Sequence, residues 1–334
     1  MTDSLLDPAP AATAVTGDRV AVVVPCHDEE ATVAQVVAGF RTALPGATIV
    51  VADNNSTDRT AEKAAAAGAR VVFEPRPGKG YAVRRLFADV DAECFVMVDG
   101  DATYDPAAAP QLVARVLDDG VDMVVGRRVG TDGAYRPGHQ WGNRLLSWSF
   151  RRLFGLGLDD TLSGYRAFSR RFVKTFPILT QGFELEADLN AHAASLGLSY
   201  DEIDTTYGSR PEGSESKLGT FRDGFRILRR LLRLFRDWRP LMTFSVAGLL
   251  LMLIATIVIA PVVVEFVDTG LVERQPTVVA CTAAYLVGAG LVGTGMILER
   301  IARVRLEVTR LLYLATPAPT PGSAAADGGG GGAS

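Results

Sequence analysis

Short apolar runs alternate with segments of helical spacing in the first part of the chain. The runs lie at residues 19–25, 48–52, 70–73, 94–98 and 122–125. Each run has the length and composition of a buried strand, and the segments between them repeat apolar residues every three or four positions. Strands that alternate with helices at this rhythm predict an α/β fold, with a mostly parallel, doubly wound sheet and helices on both faces.

Two later segments place aromatic residues and arginines on one helical repeat. Residues 136–154 combine Trp141 and Trp148 with several arginines, and residues 221–238 place Phe225 in a similar mixture of apolar and basic residues. Helices of this kind suit the membrane–water boundary, where apolar side chains enter the lipid and arginines reach the headgroups. We predict two interfacial amphipathic helices; a core helix with solvated arginines is the alternative for the first.

Two stretches near the carboxyl end, 241–264 and 276–298, contain no charged residue. Each is long enough to cross a bilayer core of about 30 Å, which requires roughly 20 residues. They contribute strongly to the positive mean hydropathy of the chain, +0.18. A pair of buried core helices is the alternative, but neither stretch has a polar face. We therefore predict two transmembrane helices.

The charges around these stretches predict the orientation of the protein. Basic residues outnumber acidic residues between 217 and 240 and again after 298, whereas the loop 265–275 is mostly acidic. Because basic residues favour the cytoplasmic side, the N-terminal domain and both termini are expected in the cytoplasm. The protein is then an integral protein of the inner or plasma membrane.

The patterns divide the chain into seven predicted regions. These are a disordered tail (1–18), an α/β domain (19–216), a basic juxtamembrane amphipathic helix (217–240), two transmembrane helices (241–264 and 276–298), a cytosolic basic helix (299–314) and a second disordered tail (315–334). The tails are rich in Pro, Ala, Thr and Gly, and such segments lack the apolar residues needed to form a core.

Composition narrows the class of partner. The formal net charge is −4, and the basic residues concentrate beside the predicted spans. This distribution argues against nucleic acid as a partner and favours an anionic membrane surface. The three cysteines lie far apart in the sequence and match neither a disulfide framework nor a zinc signature. The sequence leaves a homo-oligomer open.

An Asp-Gly-Asp sequence, from Asp99 to Asp101, follows the apolar run 94–98. A buried strand that ends in two closely spaced carboxylates delivers oxygen ligands to the carboxyl edge of a parallel sheet, where open α/β folds bind ligands. Such a pair suits Mg²⁺ or Mn²⁺ that neutralises a diphosphate leaving group. A plain surface turn is the alternative.

Five motifs in a fixed order resemble one known family. They read VVVPCHDEEATV, VVADNNSTDRT, MVDGDATYDP, SGYRAFSRR and SESKL, the last before a basic helix and the predicted spans. The series resembles the family 2 glycosyltransferases of GT-A fold and, within them, the polyprenyl-phosphate (dolichol-phosphate) mannose and glucose synthases. The resemblance covers about residues 20–264. It implies a Rossmann-like GT-A domain that transfers a hexose from a UDP- or GDP-sugar to a polyprenyl monophosphate.

The resemblance implies a donor site for the nucleotide-sugar. Pro25, Glu29 and Asp53 occupy positions of the family's nucleotide contacts, although Asp53 could instead stabilise a turn. Lys79, between two glycines, could reach a phosphate as a point charge or be a solvated turn lysine. Asn54 stands where many relatives have a second Asp, a departure that we expect to have little effect on binding.

Further residues are assigned by the same resemblance. Arg128, placed after the fifth predicted strand, and Arg144 and Ser147, on the first amphipathic helix, are expected to hold the acceptor phosphate. Arg210 and Lys217 correspond to a flexible loop that closes over the donor diphosphate. A membrane-anchoring basic patch is the alternative for this loop.

Three more positions complete the comparison with the family. Thr103 stands where some relatives have Gln, so the third metal ligand is left open. Residues 163–166 resemble a turn near the mouth of the acceptor site. Glu184 or Glu186 is expected either to touch sugar hydroxyls or to be a helix-start carboxylate.

These assignments predict a metal-dependent, inverting hexosyltransferase. The acceptor phosphate is already anionic, so it can attack without a general base. Catalysis then depends on Asp101 with its metal, on Lys217 at the donor diphosphate and on Arg128 at the acceptor phosphate. Two alternatives stay open: transfer to a lipid, glycan or protein hydroxyl, with an acidic residue of 184–188 as base, and a non-catalytic nucleotide-sugar-binding membrane subunit.

Overall fold

The computed structural model describes residues 19–130, 155–177, 185–208, 236 and 239–319. The chain divides into two compact units. The first comprises Met1–Thr220 and Arg310–Ser334, and the second comprises Phe221–Thr309.

The first unit is built on a sheet that has seven strands in the part of the chain that the structure describes. They are β1 (Val20–Cys26), β2 (Thr48–Asp53), β3 (Arg70–Phe73), β4 (Cys94–Met97), β5 (Met123–Gly130), β6 (Arg166–Ser169) and β7 (Tyr200–Tyr207). Their order across the sheet is β3-β2-β1-β4-β6-β5-β7, and β6 runs antiparallel to both of its neighbours. The remaining pairs are parallel. The expected mostly parallel α/β sheet is confirmed.

Helices connect the strands and cover the sheet. Within the described ranges they are α1 (Val33–Ala43), α2 (Thr60–Ala66), α3 (Lys79–Asp89), α4 (Ala109–Leu117), α5 (Arg170–Thr175) and α6 (Leu185–Leu196). A 3-10 turn at Pro106–Ala108 leads into α4, and the Asp105 carboxylate accepts a hydrogen bond from the backbone N–H of Ala107. Proline is favoured at such a start because it has no N–H that would need a partner.

The sheet is buried on both faces. In β1, Ala21 and Val23 belong to one apolar cluster, whereas Val22 and Val24 belong to the cluster on the other face. A strand that is covered on both sides carries apolar residues at every position. This is why the run VAVVV identifies β1 so clearly in the sequence.

The second half of the sheet differs from the expectation. β5 extends to Gly130 because it pairs with β7 along its whole length, so Arg127 and Arg128 lie within the strand and not after it. The residues 163–166, expected to form a turn, lead into β6, and both Tyr165 and Arg166 are fully buried. Sequence periodicity did not predict β6 or β7, because β6 is short and β7 alternates charged and hydroxyl residues with few apolar ones.

The buried Arg166 fixes the backbone that precedes β6. Its guanidinium donates to the carbonyl oxygens of Ser163 (2.8 Å) and Thr161 (2.9 Å) and to Oδ1 of Asn190 (2.5 Å). Burial lowers the pKa of Arg166 from its usual value, but a guanidinium keeps its charge in proteins. The segment immediately before Gly164 is therefore tied to the interior of the domain.

The second unit contains all of one long helix, α7 (Pro240–Thr269), and most of a second, α8 (Gln275–Ala315), of which only the end, from Arg310 on, belongs to the first unit. Both are long and apolar enough to cross a membrane. Many of their large apolar side chains are exposed. The expected pair of apolar C-terminal helices is confirmed. Residues 299–314, expected as a separate basic helix, continue α8 without a break.

Small residues form the contact between α7 and α8. Apart from Pro240 at the start of α7, the buried positions recur every seven residues in each helix, and they are Gly248, Ala255 and Val262 in α7 and Cys281, Gly288 and Gly295 in α8. A seven-residue repeat keeps one seam of each helix facing the other, and small side chains allow close backbone approach in membrane helix pairs. A Cβ atom placed on Gly248 would lie 2.5 Å from the carbonyl oxygen of Gly288.

The last turn of α8 lies against the sheet of the first unit. The Tyr313 hydroxyl donates to the buried carboxylate of Asp122 at 3.0 and 3.1 Å, and the Arg171 guanidinium donates to the carbonyl oxygen of Thr316 at 2.8 Å. Ser169 and Ser199 also donate to Asp122. The carboxyl end of α8 is thus attached beside the first residue of β5.

Several expectations concern residues outside the described ranges. The first predicted amphipathic helix (136–154) and nearly all of the second (221–238) lie there, as does the N-terminal segment 1–18. These expectations remain predictions.

The helix seam yields a test of the second unit. We expect Gly248→Val to weaken the pairing of α7 and α8 by about 1–3 kcal/mol, the usual effect of overpacking, because the added side chain meets Gly288. Thermal unfolding of the purified protein in detergent measures the loss. Gly290→Val is the matched control, since a Cβ atom there has no neighbour within 4 Å. Equal unfolding temperatures for the two variants would contradict the seam.

Candidate active site

Acidic side chains converge on one edge of the sheet. β1, β2 and β4 are parallel neighbours, so the residues that follow their carboxyl ends lie side by side. The buried Cys26 thiol at the end of β1 reports this convergence. Its pKa is raised well above the usual value by burial and then by four carboxylates, those of Glu29, Asp99, Asp53 and Asp101.

A lysine joins two of the acidic groups at this edge. The Nζ atom of Lys79 lies 2.6 Å from Oδ1 of Asp99 and 2.7 Å from Oε1 of Glu186. Burial opposes the charge of this ammonium, but the two carboxylates raise the pKa of Lys79 above its usual range. The lysine is therefore charged and held between two partners, and it is not the solvated turn lysine that the sequence left as an alternative.

The location of Lys79 follows from the local backbone. Gly78 precedes it with φ +134°, a conformation that side chains rarely adopt, and Lys79 is the first residue of α3. Glu186 lies in the first turn of α6 and is only 4% exposed. A helix start favours a carboxylate, but the short contact with Lys79 gives Glu186 a specific partner as well.

Two glycines leave space around Asp99. A Cβ atom on Gly100 would lie 2.5 Å from the Cys26 sulfur, and one on Gly164 would lie 2.3 Å from Oδ2 of Asp99 itself. Both distances are far shorter than any van der Waals contact. The absence of a side chain at Gly164 is therefore a condition for the observed position of the Asp99 carboxylate, and its absence at Gly100 is a condition for the packing of Cys26 against the same loop.

The second residue of the acidic pair, Asp101, is 4% exposed. Its Oδ1 atom accepts hydrogen bonds from the hydroxyl of Thr103 (2.6 Å) and from the backbone N–H of the same residue (3.2 Å). Thr103 therefore orients Asp101. This contact gives a physical role to the residue that stands where some relatives have Gln.

The acidic pair has the chemistry that a divalent cation requires. Within the described ranges no group of three His, Cys, Asp or Glu side chains is arranged to hold a metal, so the pair would share the cation with oxygen atoms of a ligand or water. Mg²⁺ in particular is held in this way, by one or two carboxylates together with phosphate oxygens. Asp99 already holds a cation, the Lys79 ammonium. The carboxylate oxygens of Asp99 and Asp101 are therefore of the type that suits a divalent ion.

The end of β2 organises the next loop. Oδ1 of Asp53 accepts a hydrogen bond from the backbone N–H of Ser56 (3.1 Å), which is the turn contact that the sequence left as an alternative. Asn54 has a larger role than expected. Its amide nitrogen donates to the carbonyl oxygens of Glu74 (3.2 Å) and Arg76 (2.6 Å), and its oxygen accepts from the N–H of Gly78 (2.7 Å).

These three bonds tie Asn54 to the segment that ends at Lys79. A second Asp at this position could not donate to two carbonyl oxygens. The sequence-based view that Asn54 is a minor departure therefore overlooked that its amide supports the loop. The only sequence signal for this role was the Asn itself, in place of the Asp of many relatives. The two side chains have nearly the same shape, but only Asn can donate hydrogen bonds.

The carboxyl half of β5 presents two arginines to different partners. Arg127 contacts Asp204 (2.6 and 2.9 Å) and Asp159 (3.1 Å) on the exposed surface. Arg128 makes a two-point contact with the buried Asp160, at 2.7 and 2.8 Å. Burial raises the pKa of Asp160, but the hydrogen bonds and charge of Arg128 outweigh burial and hold the pKa below its usual value.

A chain of aromatic contacts connects Arg128 with the acidic pair. The Arg128 guanidinium lies 5.5 Å from the ring centre of Tyr207, and the Tyr207 and Tyr104 rings are 5.2 Å apart. The Tyr104 hydroxyl accepts a hydrogen bond from the N–H of Gly164 at 2.9 Å. Gly164 in turn contacts Asp99. The two ends of the candidate site therefore belong to one packed cluster.

The other predicted site residues divide into two groups. Pro25 and Glu29 are partly buried at the end of β1, where the Glu29 N–H donates to the Thr60 hydroxyl at 2.8 Å. The remaining predicted residues, which are Arg144, Ser147, Glu184, Arg210 and Lys217, lie outside the described ranges. Sequence reasoning did not single out Asp160, the partner of Arg128, because an Asp-Asp pair in a loop is usually a solvated turn.

A cavity of about 500 Å³ lies at the opposite edge of the sheet, at the amino ends of β2 and β3. It is lined by Arg41, Leu44, Pro45, Gly46, Ala47, Thr48, Ile49, Gly68 and Arg70, none of which is acidic. A small cavity of about 30 Å³ lies beside Asp99, between Val98 and Tyr104. We place the site at the carboxyl edge, where Asp99 and Lys79 lie, because ligands of open α/β sheets bind beyond the carboxyl ends of the strands.

The chain is similar in sequence to proteins of a known family. Residues 21–176 match the family model described as Glycosyl transferase family 2. Glycosyltransferase AglJ of Haloferax volcanii is 35% identical over 236 residues, which are 70% of this chain and 77% of AglJ. The dolichyl-phosphate hexose transferase of the same organism is 30% identical over 228 residues, which are 68% of this chain and 98% of that protein.

A solved structure shares the fold. Glucosyl-3-phosphoglycerate synthase from Mycobacterium tuberculosis, in complex with Mn²⁺, UDP-glucose and phosphoglyceric acid, superposes with a TM-score of 0.54 at 27% identity. The match covers 66% of this chain and 80% of the synthase. The sheet described here is thus similar to that of a protein that binds a metal and a nucleotide-sugar.

The role of Asn54 can be tested with a nearly isosteric change. We expect Asn54→Asp to reduce the free energy of unfolding by about 1–3 kcal/mol, because a carboxylate would face two carbonyl oxygens that have lost their donor. Chemical denaturation measures the loss. Asn55→Asp is the matched control, since it adds the same charge at the adjacent, exposed position. Wild-type stability of Asn54→Asp would show that the loop does not depend on the amide.

Proposed function

This chain belongs to glycosyl transferase family 2, and we propose that it transfers a hexose, mannose or glucose, from a UDP- or GDP-sugar to a polyprenyl monophosphate. The GT-A fold and glycosyltransferase class rest on the comparisons above. The donor, the lipid acceptor and the inverting course of the reaction are the proposal.

One arrangement carries the proposal: an acidic pair that fits a divalent cation is packed into the same cluster as an arginine oriented by a buried carboxylate. Asp99 and Asp101 form the first end of this cluster, and Arg128 with Asp160 forms the second. A transfer between two phosphate groups needs positive charge at both. The arrangement therefore matches a donor diphosphate at one end and an acceptor phosphate at the other.

At the donor end, Asp99 and Asp101 would hold Mg²⁺ or Mn²⁺. The cation, when bound, neutralises charge on the diphosphate as the sugar–phosphate bond breaks. Lys79 adds a second positive charge beside Asp99. We further assign the nucleotide to Pro25, Glu29 and Asp53, and the closing loop to Arg210 and Lys217.

At the acceptor end, Arg128 would hold the lipid phosphate. Two-point contact with Asp160 fixes the plane of the guanidinium before the ligand arrives, which lowers the cost of ordering it. Arg144 and Ser147 are proposed to contribute further contacts. An oxygen of the acceptor phosphate then attacks the anomeric carbon while the bond to the nucleotide diphosphate breaks on the opposite face, and the configuration inverts.

The helices α7 and α8 support a lipid acceptor. Both are long and apolar enough to cross a membrane, and a polyprenyl phosphate is itself confined to the bilayer. We propose that α7 and α8 anchor the enzyme in the inner or plasma membrane, with the catalytic domain on the cytoplasmic side. The name of the Haloferax volcanii dolichyl-phosphate hexose transferase points to the same class of acceptor.

The alternative with a hydroxyl acceptor is less well supported. A hydroxyl must lose a proton, so that reaction requires a general base. Glu186, one of the residues considered for this role, is already paired with the Lys79 ammonium at 2.7 Å. Its Oε1 atom is thus already in contact with an ammonium, whereas a phosphate acceptor needs no base.

The transfer reaction tests the proposal directly. Membranes that contain the protein are incubated with labelled nucleotide sugars and with undecaprenyl or dolichyl phosphate, and label is measured in the organic phase. We expect Asp101→Asn to reduce transfer about a hundredfold or more, the usual magnitude for loss of an electrostatic contact to the transition state. The Asn oxygen can still accept the hydrogen bonds from Thr103, so the fold is retained.

The exposed Asp118 provides a control for the Asp101 variant, because Asp118→Asn removes the same charge from the surface. We expect wild-type transfer from it. Full turnover by Asp101→Asn after chelation of divalent ions would contradict the metal role. Absence of labelled lipid with every sugar and both acceptors would contradict the proposed acceptor.

A second prediction concerns the acceptor end. We expect the double variant Arg128→Gln with Asp160→Asn to raise KM for the polyprenyl phosphate about tenfold or more, while KM for the nucleotide-sugar stays near its wild-type value. The two substitutions are combined because Arg128→Gln alone would leave the buried Asp160 without its partner. Steady-state kinetics with each substrate varied in turn measures the two constants.

The neighbouring Arg127 provides the matched control for this variant. The double variant Arg127→Gln with Asp204→Asn removes an exposed arginine–aspartate contact from the same pair of strands. We expect both KM values of the control to remain unchanged. An equal rise in the two KM values of the Arg128 variant would point to general distortion of the site.

A further inference from the structure

The Lys79 ammonium occupies the carboxylate that a metal would need. Its Nζ atom is 2.6 Å from Oδ1 of Asp99, so a divalent ion on the same oxygen would have to share it with the ammonium. A divalent ion bound to this oxygen would also lie next to a positive charge. Lys79 and a metal therefore compete for Asp99.

Glu186 is a second carboxylate partner of Lys79. It contacts the same Nζ atom at 2.7 Å and is almost completely buried. The ammonium can lose Asp99 and still keep one carboxylate partner. Without such a partner, displacement would leave a buried charge unpaired, which is strongly unfavourable.

Lys79 does not by itself neutralise its two carboxylate partners. One ammonium lies between the carboxylates of Asp99 and Glu186, so these three groups together carry a net charge of −1. The exchange of the ammonium for a divalent ion at Asp99 is therefore not opposed by an excess of positive charge within the group.

From this geometry we infer that Lys79 is a resident counter-cation, which a divalent metal displaces from Asp99 and which Glu186 then retains beside the donor diphosphate. The inference rests on the proposed metal role of Asp99. It makes Glu186 a positioning residue for Lys79. It also implies that metal alone binds weakly and that metal binds tightly when a diphosphate is present to accept the displaced ammonium.

The test uses a variant that leaves the net charge unchanged. The double variant Lys79→Met with Glu186→Gln removes one positive and one negative charge, so a simple change in the local field predicts no change in metal affinity. Displacement predicts a gain, because the competitor for Asp99 is gone. The variant also leaves no buried carboxylate without its lysine.

The measurement is binding of Mn²⁺ alone, without nucleotide, to the purified full-length protein in detergent, followed by the EPR signal of free Mn²⁺. We expect the double variant to bind Mn²⁺ at least tenfold more tightly than the wild type, and added Mn²⁺ to raise its unfolding temperature more. The control variant Arg115→Met with Asp119→Asn removes an exposed ion pair from α4. We expect wild-type Mn²⁺ affinity from it.

A single substitution supplies an independent check. Glu186→Gln leaves Lys79 with Asp99 as its remaining carboxylate partner of the two, so we expect this variant to bind Mn²⁺ several-fold more weakly than the wild type. It also preserves the shape of the side chain, and normal thermal unfolding verifies its fold.

The outcomes separate this inference from the proposed function. Equal Mn²⁺ affinity of the wild type and the double variant would overturn displacement by Lys79 and leave the metal site intact. Failure of both proteins to bind Mn²⁺, with and without UDP, would overturn the metal site and the proposed function with it. Tighter binding by the control variant as well would also overturn the inference, because the gain would then not depend on Asp99.

Discussion

Carboxylates that meet at one edge of a sheet repel one another, and the rest of the site depends on how this repulsion is offset. The parallel pairing of β1, β2 and β4 brings Glu29, Asp53, Asp99 and Asp101 together, and the Lys79 ammonium contacts one of them, Asp99. Gly78 allows the chain to enter α3 at the lysine, and α6 supplies a second carboxylate, from Glu186, for it. The Lys79 ammonium of α3 thus connects the loop after β4 with α6, although the two are far apart in the sequence.

The two ends of the site use the same physical device. In each, a cationic side chain is held by a buried carboxylate before any ligand is bound: Lys79 by Glu186, and Arg128 by Asp160. The anchoring carboxylate sets the direction of the cation and reduces the entropy that is lost on binding a phosphate. Surface arginines such as Arg127 are paired as well, but with exposed partners, and pairs of that kind contribute little.

Local patterns in the sequence were sufficient for the first half of the fold and insufficient for the second. β1 to β4 could be predicted within one or two residues, because each is a short, mostly apolar run, and β1 and β4 are apolar throughout since they are covered on both faces. β7 is mixed in composition and is held by its partner β5, which also extends β5 over Arg127 and Arg128. The contacts of Asn54 and Asp160 span 20 residues or more along the chain, so no local pattern indicates them. The acidic pair could be predicted from the sequence because Asp99 and Asp101 directly follow the apolar run of β4, so one short segment shows both the end of a strand and the metal-ligand residues.

The position of the Asp99 carboxylate depends on the absence of a side chain at Gly164. The space beside its carboxylate is the space that a Cβ atom of residue 164 would fill, and the backbone there is tied to Tyr104 and, through the preceding residues, to Arg166. Every encoded amino acid other than glycine brings that atom with it. No codon change that alters residue 164 is therefore expected to be neutral, so this position should be among the least tolerant of the gene although its residue takes no part in any chemistry.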